Sequence, residues 1–240
     1  MAGTRVKLKS RSVERRALSV KAIFQPSLPA VILQSLREKV FNGDFPPGAR
    51  IVETRLSKEL GVGQPAVREA LLMLERQGLA RRVPNLGTFV RELNVEEVKN
   101  LFEIRSEMEG LAAERAAGRA SKEDIADLRR LAENLDGVKD AKRASSRWEH
   151  FQRDLAFHQR LWMLSGNRQL AEILETVVVP LFHYGFWHHE RTSEQIAKSV
   201  ERHLSMVKGI ETSPRSARAA VQTSIRQFSE PYLVHVYGSR

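Results

Sequence analysis

The chain has 240 residues, 42% of them hydrophobic, enough for two modest domains with cores of their own and too apolar for a disordered polymer. It contains no cysteine, which excludes disulfide scaffolds and thiolate metal sites and suits a reducing cytoplasm, where we expect the protein to reside. The net charge is +10, but residues 1–92 hold 17 Lys/Arg against 8 Asp/Glu and the remainder 22 against 21; the positive charge therefore belongs to the N-terminal third, and a polyanion is its natural partner.

No run approaches the roughly 18 apolar residues of a membrane helix, and the first residues lack the apolar core of a secretion signal. No strong amphipathic helix accompanies the basic charge, which argues for nucleic acid over a membrane surface as the polyanion. In chain order, residues 1–26 form a basic arm with Arg5, Lys7, Lys9, Arg11, Arg15, Arg16 and Lys21. It reads equally well as a mobile segment lying along phosphates and as a solubilising tail.

Leu28 to Phe41 reads as a helix whose apolar positions are Val31, Leu33, Leu36, Val40 and Phe41, ended by Asn42-Gly43-Asp44 and Pro46-Pro47-Gly48. A short helix, Thr54 to Leu60, then meets Gly61-Val62-Gly63, and a longer one runs from Pro65 to Gln77. Gly61 suits a left-handed position after a helix and Pro65 suits a first helical turn. In the longer helix Val67, Ala70, Leu71 and Leu74 recur at three- and four-residue spacing and face inward. Gly78 stops it, and two short strands, Leu79–Val83 and Thr88–Val90, flank a Pro84-Asn85-Leu86-Gly87 turn.

Helix, glycine turn, helix and hairpin over residues 27–92 predict a winged helix-turn-helix, which places its second helix in a DNA major groove. The residues opening that helix, Gln64, Pro65, Ala66 and Arg68, are the candidates for base edges and phosphates. Arg50 and Arg55 are candidate phosphate contacts, and Asn85 and Gly87 mark the wing.

Residues 93–97 read as a linker, with Asn94 and Glu97 spaced as a helix-capping box. Beyond it we expect helices at 95–117, 121–136, 141–165, 167–189, 193–211 and 214–236, and no strand. Ser121-Lys122-Glu123-Asp124 and Ser213-Pro214 are helix starts. The fold class is mainly α: a winged helix-turn-helix followed by an all-α bundle over 98–236, and such bundles host ligand and metal sites between facing helices.

Several polar residues interrupt the bundle's apolar stripes. Arg105 falls within Val98, Leu101, Phe102, Met108 and Ala112. A buried arginine needs a carboxylate, and Glu109 one turn on can supply it; an anionic ligand is the other reading, with Arg105 as a carboxylate clamp. Asp154 and His158 lie one turn apart on a helix whose stripe is Trp148, Phe151, Leu155 and Trp162, so one cation could bridge them. His203 sits among Ile196, Val200, Val207 and Ile210. Imidazole nitrogen with carboxylate oxygen suits zinc, nickel, manganese or iron(II); satisfied core histidines are the plainer reading. The run His183–Glu190 holds three histidines and three aromatics, read as a helix end with packed aromatics and wet histidines, or as a pocket wall.

The N-terminal third resembles the DNA-binding domain of the GntR family of bacterial transcription regulators. The resemblance rests on FPPGARI at 45–51, LSKELGV at 56–62, AVREAL at 66–71, LERQGL at 74–79 and Gly87 before Thr88-Phe89-Val90. Many members carry Arg where this chain has Gln64, and Ser or Thr where it has Gly63 and Pro65, so the operator preference does not carry over.

From about residue 98 the chain resembles the FCD ligand-binding domain of one GntR subfamily. The resemblance rests on Glu103-Ile104-Arg105 with Glu109, DLAFHQRLWMLSGN at 154–167, and His203. It implies that Asp154, His158 and His203 bind a divalent metal, and that the metal and Arg105 hold a small organic acid. Ser224 stands where the family's fourth ligand, a histidine, is usual. Water, effector or a histidine of the 183–189 run would complete the shell, or the metal is lost.

The expected function is therefore a ligand-responsive regulator, a repressor, that binds a double-stranded operator as a homodimer. The alternative class is a metal-dependent enzyme fused to a nucleic-acid module, with a metal-bound water as attacker. Against it, Glu109 is the sole well-placed candidate base, and the sequence has neither a nucleophile motif nor a glycine-rich phosphate loop. We expect no enzyme activity.

Overall fold

The structure, a computed structural model, describes residues 26–136, 147–188 and 192–237. The basic arm, apart from its last residue, lies outside the described residues, as do 141–146 and 189 of the expected bundle helices.

Helix α1 (Leu28–Asn42) has a proline in its first turn and ends where Gly43, at φ 97°, turns left-handed and donates its N–H to Lys39 O. Its buried face is Ile32, Leu33, Leu36, Val40 and Phe41. The expected Val31 is instead 52% exposed while Ile32 is 3% exposed. One residue is about 100° of helix rotation, so the stripe through Leu36 and Val40 admits Ile32 and turns Val31 outward.

Strand β1 (Arg50–Ile51) leads into α2 (Glu53–Leu60) and α3 (Gln64–Arg76). Gly61 takes φ 65° at the end of α2, a left-handed conformation that costs glycine little. The inward face of α3 is Val67, Ala70, Leu71 and Leu74, as its periodicity predicts. Strands β2 (Ala80–Val83) and β3 (Gly87–Val90) form the wing. The sheet order is β1-β3-β2, antiparallel throughout, with Arg50 opposite Phe89 and Arg82 opposite Thr88. The sequence reading omitted β1, because two residues after a Pro-Pro-Gly turn show no alternation.

Residues 91–94 join the wing to α4 (Val95–Ala117). Of the expected linker, 93–97, residues 95–97 are already helical, since Asn94 caps the helix as its spacing predicts. Its side chain accepts from Glu97 N at 2.9 Å, and Glu97 accepts from Asn94 N at 3.0 Å. Then come α5 (Lys122–Glu133), α6 (Arg147–Leu164), α7 (Arg168–His188), α8 (Ser193–Thr212) and α9 (Pro214–Tyr237). The expected 121–136 helix tightens into a 3-10 turn at Asn134–Asp136. Among the described residues every strand lies before Arg91, as expected.

Helix α4 is the centre of the bundle and packs against α6, α7, α8 and α9. The Ser165-Gly166-Asn167 corner fixes how α6 passes into α7. Ser165 Oγ donates to Trp162 O at 2.6 Å and accepts from Asn167 N at 3.1 Å, while Asn167 Oδ1 accepts from Leu170 N at 3.1 Å. The winged unit rests on the same helices. Phe41 stacks on Phe151, Arg37 lies over Trp148 and Phe151, and Asn42 Oδ1 accepts from Trp148 N at 3.3 Å.

Candidate functional site

The N-terminal end of α3 is a polar, exposed prow. Gln64, Pro65 and Arg68 are exposed, and Ala66 is half-buried beside Val67. Arg55 is exposed on α2, and Asn85 is exposed at the wing tip with φ 62°, a left-handed conformation asparagine tolerates. Gly87 lies against the side chain of Arg50: a Cβ there would stand 3.4 Å from Arg50 Nε. Arg68 is not simply solvated. Its Nε and Nη2 donate to Glu53 Oε2 on α2 at 3.1 and 3.0 Å. The face can present arginines to phosphates and amide and guanidinium donors to base edges.

The second cluster is built inside the bundle. α4 supplies Arg105 and Glu109, α6 supplies Asp154 and His158, and α8 supplies His203, all buried. Arg105 donates from Nε to Glu109 Oε2 at 3.3 Å, Trp162 Nε1 donates to Glu109 Oε1 at 2.9 Å, and His158 Nδ1 stands 2.9 Å from that same oxygen. Burial raises the Glu109 carboxyl's pKa; Arg105, His158 and Trp162 outweigh it and hold the group ionised, below the usual carboxylate range. Glu109 is 0% exposed and is not among the residues lining the cavity; it stands behind Arg105 and His158.

Three acceptor-capable atoms converge. His203 Nε2 lies 3.2 Å from Asp154 Oδ1 and 3.3 Å from His158 Nε2, and His158 Nε2 lies 3.5 Å from Asp154 Oδ1. The tautomers follow from the opposite ring atoms. His203 Nδ1 lies 2.7 Å from the carbonyl of Ser199 and must donate to it, leaving a lone pair on Nε2. His158 Nδ1 faces a carboxylate and likewise carries its proton. Burial pushes the His203 pKa down, keeping it neutral. Desolvation opposes charge on His158, but Glu109 and Asp154 outweigh it and raise its pKa. Arg105 Nη2, which can only donate, stands 3.4 Å from His158 Nε2; beyond that contact, a proton on His158 or a metal that displaces it would satisfy the gathered lone pairs.

The donor set fits a divalent ion. Ligand atoms about 2.1 Å from one centre at tetrahedral angles stand about 3.4 Å apart, close to the three spacings here. Metal-binding histidines normally donate their second ring N–H to a carboxylate or a carbonyl, as these two are placed to do. The chemistry suits zinc, nickel, manganese or iron(II).

A cavity of about 30 Å³ opens on this cluster, with Arg105, Asp154, His158, His203 and Ser224 in its wall. Arg105 pairs with Glu109, the first of its two readings, and also lines the cavity, 4.9 Å from the Phe182 ring centroid. Asp154, expected at the edge of its stripe, is 4% exposed and fully within it. On α8 the buried stripe runs through Ser199, His203, Met206, Val207 and Ile210, while Ile196 and Val200 are only half-buried.

His183 is 3% exposed and meets the Phe41 ring edge-on at 5.2 Å, so the expectation of wet histidines fails there. The side chain of His188 and all of His189 lie outside the described residues. The sequence reading missed Arg202, Ser199 and Phe182, which line the same cavity. Arg202 falls off the apolar periodicity, and its one signal was its place beside His203.

A winged helix-turn-helix joined to a helical bundle with a buried histidine–aspartate cluster is a two-domain architecture found in bacterial regulators. Residues 29–90 match the family described as bacterial regulatory proteins, gntR family, and residues 100–227 match the FCD domain. The chain belongs to the GntR family of bacterial regulatory proteins, in its FCD-domain branch. It is 33% identical over 142 residues to YdhC, an uncharacterized HTH-type transcriptional regulator of Bacillus subtilis (strain 168), covering 59% of this chain and 62% of that protein. It is 33% identical over 133 residues to the Nta operon transcriptional regulator of Aminobacter aminovorans, covering 55% and 61%. The matches span less than two thirds of the length of these relatives. The fold is that of E. coli McbR/YncC, with TM-score 0.74, 22% identity and coverage of 89% of this chain and 100% of that one. Among the described residues no helix is long and apolar enough to cross a membrane.

Proposed function

We propose that this chain is a ligand-responsive DNA-binding transcription regulator, a repressor that reads a double-stranded operator as a homodimer. Residues 27–92 read the DNA, and residues 98–236 bind the effector and pair the protomers. Gln64, Pro65, Ala66 and Arg68 enter the major groove, Arg50 and Arg55 hold phosphates, and Asn85 and Gly87 bring the wing to the backbone. Asp154, His158 and His203 hold a divalent metal, and Arg105 clamps a small organic-acid effector in the adjoining cavity. Bound there, the ion would supply a Lewis-acidic point for a carboxylate oxygen.

The observation that carries the effector half is the convergence of His203 Nε2, His158 Nε2 and Asp154 Oδ1, with His203 Nδ1 on the Ser199 carbonyl and His158 Nδ1 2.9 Å from Glu109 Oε1. Glu109 orients His158 and Arg105, Ser199 orients His203, and Phe182 shields the arginine. An effector that prefers one arrangement of the paired winged units changes operator affinity by that differential binding.

Two measurements on the full chain, purified without chelator or affinity metal, test the reading. Elemental analysis should find close to one divalent ion per chain, lost in His158→Ala. Duplexes selected from a random pool should bind, with an affinity that metal and carboxylates change. A metal-free native chain would remove the metal from the proposal, and failure to select any duplex would remove the DNA-reading function.

A further inference from the structure

Of the two strands of the wing, β3 is paired on both sides and β2 on one, in the order β1-β3-β2. Arg91 N donates to Leu79 O at 2.8 Å. In the alternation of an antiparallel ladder, Arg81 and Val83 then turn their backbone groups toward β3, and the N–H of Arg82 points away from it. Such edge groups are ordinarily left to water. Here Arg82 N donates to Glu75 Oε1, in the last turn of α3, at 3.0 Å.

Nothing local favours an acid at that place. The last turn of a helix carries the negative end of its dipole, and residues 1–92 hold the surplus of positive charge that suits a polyanion. A carboxylate has the wrong sign for both. What it gains is the contact to Arg82, since a carboxylate accepting from a backbone N–H is stronger than a neutral pair. The chain reverses between α3 and β2 at Gly78, φ 71°, and Glu75 bridges that reversal. We propose that Glu75 is a positioning residue for DNA reading: it ties the edge strand of the wing to the end of α3, so that Asn85 and Gly87 at the wing tip and Gln64 and Arg68 on the helix meet a duplex as one rigid body. This rests on the reading of both elements as DNA-contacting and deepens it. A wing untied from α3 must be ordered on binding, and that cost lowers affinity.

The test compares Glu75→Gln with Glu75→Ala in the full chain, by fluorescence anisotropy on a duplex selected by the native chain. Both variants lose the negative charge and its repulsion from phosphates, but glutamine keeps an acceptor oxygen. Alanine is the better helix former, so a loss in Glu75→Ala does not come from α3 unwinding. Glu75→Ala should bind about three- to tenfold more weakly than Glu75→Gln, the scale of one hydrogen bond. Asn85→Gly keeps the left-handed conformation of the wing tip, and it should cost more affinity in the Gln background than in the Ala background. A bond that only stabilises the fold would lower the melting temperature of Glu75→Ala and leave that cost equal in both. Arg82→Pro against Arg82→Ala removes the donor instead, at an edge position that tolerates proline. It should repeat the loss in the native background and add nothing in Glu75→Ala. Equal operator affinity of Glu75→Gln and Glu75→Ala overturns the proposal, as does an equal cost of Asn85→Gly in the two backgrounds. A native chain that selects no duplex would overturn the DNA-reading function, and this inference with it.

Discussion

Phe41, in the last turn of α1, stacks on Phe151 of α6 with ring centroids 3.8 Å apart and 25° between the planes. Phe151 meets Phe182 edge-on at 6.2 Å, and Phe182 meets the His158 ring at 5.5 Å. A continuous run of rings thus joins the metal-ligand candidates to the winged unit. Contiguity is not coupling; coupling needs an element that both sites bias. The stack is the place to look for one, because a shift of α6 on metal binding would reach α1 through flat, incompressible surfaces.

Phe41→Leu keeps most of the volume and removes the ring. It should cost about 1 kcal/mol of stability, the scale of an aromatic pair beyond its area, read as a lowered melting temperature. Zinc affinity should stay as in the native chain, while the change in operator affinity on adding zinc should shrink. Fluorescence anisotropy on a selected duplex, with and without zinc, measures this. An undiminished zinc effect would exclude the ring stack as the route.

How far the sequence disclosed this architecture depends on whether a residue's role is local. Helix ends were legible because caps act within four residues: Asn94 with Glu97, Ser121 with Asp124 and Gly61 all do what their spacing predicts. The α3 stripe was legible because one face carries Val67, Ala70, Leu71 and Leu74 without interruption. Asp154, His158 and His203 were legible as polar breaks in apolar stripes, and their convergence is a tertiary fact the resemblance anticipated. The pair Arg105–Glu109 was legible at one turn's spacing, but the contacts of Glu109 with His158 and Trp162 were not, because those partners lie far along the chain. Arg202 was missed because a residue beside a stripe has no periodic signature until α9 packs against it. Strand β1 was missed because two residues carry no period.

Glu109→Gln keeps the size of the side chain and removes the charge that balances Arg105. Breaking a buried pair from one side costs about 3–5 kcal/mol, because the remaining charge is left without its partner. The His158 ring also loses the carboxylate that fixes its tautomer, a loss worth about 10–100-fold in metal affinity where such partners have been removed. Thermal unfolding and a competitive zinc titration on the same preparation separate the two effects. Unchanged zinc affinity would mean that His158 is oriented by its packing, not by Glu109.

Arg68 shares Glu53 Oε2 through two nitrogens, yet its side chain is 54% exposed. A pair this open contributes under about 1 kcal/mol, so Arg68→Ala should leave the melting temperature close to native. Its effect should fall on DNA. If Arg68 holds a phosphate, all sequences should weaken alike and the salt slope should drop by about one; if it reads a base, selectivity should fall instead. Glu53→Gln removes a carboxylate from the same face and should strengthen binding to non-operator duplexes. Native affinity, slope and selectivity in Arg68→Ala would take that residue out of the interface.

Gly78 sits between α3 and β2 at φ 71°, and a Cβ there would lie 2.7 Å from Pro180 Cγ and 3.3 Å from Thr176 O on α7. Helix α3 therefore ends flush against α7, the helix that carries Phe182. Gly78→Ala should destabilise in two separable ways. The left-handed conformation costs an alanine about 1–2 kcal/mol, and the collision forces the winged unit away from α7. Pro180→Ala removes the ring atom and relieves only the second effect. A double-mutant cycle by chemical denaturation should then find the double variant less destabilised than the sum of the two single variants, with the conformational cost left in it. If the two changes simply add, the units separate without strain and the close approach at Gly78 does not constrain how α3 is held.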